Sequence, residues 1–146
     1  MSINKDLKLT FFRPVLDSEV RIPLIKEGVS AGFPSPAIDF MENSIDLNTA
    51  LCKNPLATFY IKVKGNSMID AGINDKDVLV VDRSLEPQNN KIAICFIDGE
   101  FTVKRIQLEK DCLYLMPENP KYPPIKVTEE NQLIIWGIVT YVIKAL

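Results

Sequence analysis

The chain contains no histidine among its 146 residues. That absence removes every catalytic pairing in which an imidazole takes the proton of a serine or a cysteine. Cysteine is scarce too: Cys52, Cys95 and Cys112 are odd in number and show no Cys-x-x-Cys spacing. A disulfide framework is not expected from them, nor, without histidine, is a zinc site, and no cofactor is called for. There is no apolar run long enough to span a bilayer and no charged-then-apolar leader at Met1-Ser2-Ile3-Asn4-Lys5-Asp6, so a cytoplasmic protein with no membrane contact is expected. No excess of positive charge exists: the formal net charge is −2, which argues against broad electrostatic binding to nucleic acid. If this chain does nucleophilic chemistry, its base must be a lysine or a carboxylate.

What is present is an ordinary globular composition, 47% hydrophobic and 25% charged, enough for one modest core. Residues 1–35 read as an arm and linker, with a strand-like run over Val20–Ile25 and a flexible stretch from Glu27 to Gly32. Two short helices are expected next, one capped by Ser35 with Pro36 in its first turn, another capped by Asp46 and running from Leu47 to Cys52. From Ala57 onward the chain reads as strands. Thr58–Lys64 is rich in aromatic and branched residues, Val78–Val81 is a buried-type run, and Asp98-Gly99 is a hairpin turn between Ile92–Ile97 and Glu100–Ile106. Leu113–Met116 and Leu133–Ile143 supply further strands, giving a mainly β protein.

Between two of these strands lies Lys64-Gly65-Asn66-Ser67-Met68. Gly65 permits a sharp turn, which would set Ser67 in a tight loop. The backbone N–H groups there, those of Ser67 and Met68, are candidates for holding the oxyanion formed when a serine attacks a carbonyl. Lys104 lies in the second strand of the Asp98-Gly99 hairpin and alternates onto one face with Thr102 and Ile106. A base lysine must be neutral, which burial promotes by lowering its pKa. Taken singly, each has a plainer reading: a loop serine, a solvated strand lysine. Together, in a chain without histidine, they form the one activated nucleophile available. Cys95, among Ile94 and Phe96, reads as a small buried hydrophobe, and Trp136 as a core or dimer contact.

These motifs closely resemble those of the UmuD-like branch of the LexA-type self-cleaving Ser–Lys peptidases, the S24 family. The markers are Gly32-Phe33-Pro34-Ser35-Pro36-Ala37, Gly65-Asn66-Ser67-Met68, Asp75-x-Asp77 before an apolar strand, and Asp98-Gly99-Glu100-Phe101-Thr102-Val103-Lys104. The separation of Ser67 from Lys104, 104 − 67 = 37 positions, also matches the family. The resemblance implies a LexA/signal-peptidase-like domain of several curved β-sheets preceded by a flexible N-terminal arm. It implies Ser67 as nucleophile, Lys104 as general base, and Ala31-Gly32 as the bond cut. UmuD itself has cysteine before that glycine; alanine is the commoner choice among LexA-type relatives. The expected division is residues 1–31 as a removable arm, 32–56 as a tail with short helices, and 57–146 as the peptidase-like domain.

The implied partners are a second copy in a homodimer, a RecA–single-stranded-DNA filament that stimulates cutting, a UmuC-like Y-family polymerase in error-prone translesion synthesis, and the replication sliding clamp. Only 31 residues precede the expected cut, so a helix-turn-helix domain and direct sequence-specific DNA binding are not expected. Two other readings stand beside this one: a non-catalytic β module acting only through protein partners, and a signal-peptidase-like enzyme acting on other proteins at membranes. The second lacks the expected membrane segment.

Overall fold

Short runs rich in Val, Ile, Phe and Tyr, separated by turn residues, favour many brief strands over a few long helices. The computed structural model describes residues 8–16, 21–25 and 41–146. In it, strands β1 (Lys8–Phe12), β4 (Thr58–Lys64), β5 (Val78–Asp82), β6 (Ile92–Ile97), β7 (Glu100–Leu108), β8 (Leu113–Met116), β9 (Ile125–Val127) and β10 (Leu133–Ile143) form one sheet. Its order is β1-β4-β5-β10-β6-β7-β8-β9, with every neighbouring pair antiparallel. A separate antiparallel pair joins β2 (Arg21–Ile25) to β3 (Met41–Asp46). Among the described residues no helix is long and apolar enough to cross a membrane.

The sheet curls, so it buries side chains on both faces. One cluster gathers Ile61, Val63, Met68, Ile73, Leu79, Val81, Ile94 and Val103, with Leu9, Phe11 and Trp136 packed against it. The other gathers Ala93, Cys95, Ile97, Ile106, Leu115 and Ile138. Each fully buried aliphatic side chain contributes about 1.5–3 kcal/mol relative to exposure. β10 holds the two halves together. Its first half pairs with β6 and its second with β5, and irregularities between Ile135 and Gly137 and between Val139 and Tyr141 redirect it.

The strands expected from β4 onward are present, and Asp46 caps the short helix α1 (Leu47–Leu51) through its carboxylate and the N–H groups of Asn48 and Thr49. Three strands were not foreseen. Lys8–Phe12, read as part of a loose arm, is the edge strand of the main sheet, because Leu9 and Phe11 alternate inward onto the core. Met41–Asp46 has weak strand propensity but is fixed by pairing with β2. Ile125–Val127 is only three residues, held by β8. The helix expected from Pro36 falls largely on residues outside the described ones, and Met41 onward is strand.

Candidate active site

β4 ends at Lys64, and Gly65 takes φ 117°, a conformation that side chains rarely adopt. Asp75 holds this turn by accepting the Gly65 N–H at 3.0 Å. Two residues on, the Asp77 carbonyl accepts the Val63 N–H at 2.9 Å. Its buried carboxylate accepts the Asn74 N–H at 2.8 Å and pairs with the Lys144 ammonium. The Asp75-x-Asp77 motif is thus the brace for the serine turn. Past Gly65 the chain tightens into a 3-10 turn over Ile69–Ala71, ending at Gly72 with φ 78°. Met68 plugs the first core cluster and Ser67 is 1% exposed.

Ser67 Oγ is the one buried side-chain nitrogen or oxygen among the described residues without a hydrogen-bond partner. Leaving a buried hydroxyl so costs on the order of 1–3 kcal/mol, and such a cost is typical of functional sites. The Ser67 and Met68 N–H groups also donate to no backbone carbonyl among the described residues.

Lys104 sits on β7 directly opposite Ala93 of β6 and is 1% exposed. Its Nζ donates to Thr102 Oγ1 at 2.8 Å and to the Val103 carbonyl at 3.2 Å. No carboxylate forms an ion pair with it among the described residues. Burial therefore lowers its pKa from the ordinary 10.5 to about 8, a shift that Cys95 slightly opposes. Burial likewise pushes the Cys95 thiol up to about 12, against the pull of Lys104. Cys95 is a fully buried hydrophobe in the second core cluster.

The serine turn and the lysine strand are tied through the segment after β8. The Glu118 N–H donates to the Ser67 carbonyl at 3.2 Å, and the Glu118 carbonyl accepts the Asp70 N–H at 2.7 Å. Asn119 Nδ2 donates to the Asn66 carbonyl at 2.8 Å. The Glu118 carboxylate pairs with Arg105, the residue next to Lys104, and Arg105 also donates to the Asn90 carbonyl at 2.7 Å. Lys104 and Ser67 are not hydrogen-bonded to each other here. Both are buried, Ser67 Oγ without a partner and Lys104 Nζ held by Thr102 Oγ1 and the Val103 carbonyl. Ala31 and Gly32 lie outside the described residues.

Sequence reasoning missed Glu118 and Asn119 as supports, since nothing local marks a contact across more than fifty positions. Thr102 carried a weak signal, sharing the Lys104 face by alternation. Among the described residues no three His, Cys, Asp or Glu side chains gather as a metal site would require.

Comparison with known proteins agrees with the motif resemblance. The family described as Peptidase S24-like matches residues 23–140. The protein SamA of Salmonella typhimurium strain LT2 is 45% identical over 118 residues, covering 81% of each chain. The protein ImpA of Escherichia coli is 43% identical over 128 residues, 87% of this chain and 86% of that one. The LexA repressor of Alcanivorax borkumensis is 40% identical over 120 residues, 82% of this chain but only 57% of the repressor. With that match across most of its length, and with its mainly β, antiparallel architecture, the chain belongs to the UmuD-like S24 peptidase family.

Proposed function

We propose that this chain is a self-cleaving serine endopeptidase that cuts its own Ala31-Gly32 bond, with Ser67 as nucleophile and Lys104 as base. The observation that carries the reading is Lys104: a lysine withdrawn from water, without a carboxylate partner among the described residues, whose pKa falls to about 8. An ammonium cannot accept a proton; an amine poised near neutrality can. In the reaction, neutral Nζ takes the Ser67 Oγ proton as Oγ bonds to the Ala31 carbonyl carbon. The tetrahedral oxyanion accepts hydrogen bonds from the Ser67 and Met68 N–H groups. Collapse breaks the Ala31–Gly32 C–N bond, and Lys104 returns the proton to the leaving Gly32 amine. Water, deprotonated by the same lysine, then frees the acyl group from Ser67. A small residue followed by glycine suits a narrow site that the chain must enter by bending.

In the family context the cut is stimulated by a RecA–single-stranded-DNA filament in the cytoplasm during the SOS response. The trimmed homodimer then serves a UmuC-like translesion polymerase, with the sliding clamp as a further contact. The motif resemblance and the relatives SamA and ImpA support this placement.

The test is direct. Purified chain is incubated across pH 6–10, with and without activated RecA, and the products are weighed by mass spectrometry. The product is expected to begin at Gly32 and to vanish in Ser67→Ala and Lys104→Ala. With a base pKa of about 8, roughly one lysine in ten is neutral at pH 7 and about nine in ten at pH 9. The unstimulated rate therefore rises about tenfold between those values and then levels off. Cutting that persists in Ser67→Ala, or a rate that falls with rising pH, would sink the assignment.

A further inference from the structure

β1 is an unusual edge strand. Only Leu9 and Phe11 face inward, both half-buried; Lys8, Thr10 and Phe12 are exposed. Phe11 nonetheless closes an aromatic cluster across the mouth of the curled sheet. Its ring lies 4.9 Å from Trp136, edge-on, and 4.9 Å from Phe101 of β7. Phe59 and Phe96 extend the cluster, and Arg13 stacks on Phe59 at 4.9 Å. Leu9 and Phe11 stand directly opposite Val63 and Ile61 of β4, which are 2% and 0% exposed, and pack against the same core cluster. β1 is therefore the cover over one end of the first core cluster.

The outward face fits poorly. Lys8 stands directly opposite Lys64, and Thr10 opposite Lys62, with both β4 lysines exposed. Like charges directly opposed across an antiparallel pair are unfavourable. The inward side of the β4 edge thus fits its occupant, while the outward side calls for the opposite charge. The position of β1 in the chain adds the second element. β1 and β2 both precede residues 26–40, the connection to β3 that contains Ala31-Gly32.

We propose that the β4 edge is a strand-acceptor site that β1 fills provisionally and that cleavage makes available to another protein. The occupant it fits is an extended segment with apolar inward residues, an aromatic at the Phe11 position, and acidic outward residues facing Lys62 and Lys64. This rests on the proposed cut at Ala31-Gly32, which converts β1 and β2 from tethered to separable strands. While tethered, β1 competes at high effective concentration; once cut, it dilutes away and a better-matched strand replaces it. The added segment would gain main-chain hydrogen bonds from β4 and specificity from the two inward seats.

The experiment removes self-cleavage from the question. In a Ser67→Ala chain, a site for an added sequence-specific endoprotease is placed between Glu27 and Ala31. The chain is then nicked and passed over a sizing column. Trp136, the sole tryptophan, reports on the site by fluorescence. Nicking is expected to release the arm and shift Trp136 emission while far-ultraviolet dichroism keeps its β signal. A synthetic peptide of residues 7–14 should restore the emission. A Phe11→Ala peptide should bind at least tenfold more weakly, and a Lys8→Glu/Thr10→Glu peptide about fivefold more tightly at low salt, with that gain fading as salt is added. The unnicked chain should ignore all three. An arm that stays bound with emission unchanged, general unfolding on nicking, or equal binding of the three peptides overturns the proposal. Failure of the native chain to cut at Ala31-Gly32 overturns the proposed function instead, and the nicked chain still reports on the β4 edge.

Discussion

Replacing Lys104 by methionine in a Ser67→Ala chain should stabilise the fold at neutral pH. The folded-state pKa is about 8 against an ordinary 10.5, so the unfolded chain binds more protons throughout that window. Stability therefore rises with pH between about 8 and 10.5 and is lowest below 8. At pH 7 the lysine is mostly protonated in both states, and the lowering from 10.5 to about 8 corresponds to a penalty of about 3 kcal/mol. Because the side chain is 1% exposed, solvent screening offers little relief. Methionine has similar length and no charge, so the substitution removes that penalty. It also gives up the hydrogen bonds to Thr102 Oγ1 and the Val103 carbonyl, which offset about 1 kcal/mol. The expected net gain is about 2 kcal/mol at pH 7, shrinking towards zero and then reversing as the pH passes 10. Urea unfolding of the two proteins at several pH values from 7 to 10 measures it. Parallel stability curves, with no gain at pH 7 and no convergence above it, would mean that Lys104 is not a desolvated ammonium, and the argument for an activated base would go with them.

Gly137→Ala should cost about 1–3 kcal/mol, read by urea unfolding, because the added carbon would lie 2.6 Å from Cγ1 of fully buried Val81. Arg105→Ala and Glu118→Ala should each slow self-cleavage several-fold while changing stability by less than about 1 kcal/mol, since the pair is about one-third exposed. Their pH midpoint for cutting should stay where it is, and the charge-swapped Arg105→Glu/Glu118→Arg chain should recover part of the rate; a swap that recovers nothing would count against a positioning role.

Much of the fold was legible because β4, β5, β7 and β10 carry dense branched and aromatic runs bounded by turn residues such as Asp98-Gly99, the latter with φ 49° at Asp98 and 85° at Gly99. The alternation rule was less informative at Lys104. Thr102, Val103, Lys104 and Ile106 are all buried, because the curled sheet covers β7 on both faces, and no strand pattern separates an inward lysine from an outward one there. β1 escaped notice because its two inward residues make too short a period to stand out, although Leu9-Thr10-Phe11 does alternate. β3 carries hardly any local signal; its partner strand defines it. The motif around Ser67 was visible as a turn, whereas its supports at Glu118 and Asn119 arise only from the three-dimensional path of the chain.

The way β10 divides its length between β6 and β5 has a consequence for cooperativity. A single backbone laces together two hydrophobic clusters that could otherwise melt separately, since loosening either half of the strand strips the ladder from the other's boundary. The domain should therefore lose its order in one transition, with the amides around Ile138, where the strand changes allegiance, among the last to exchange with solvent.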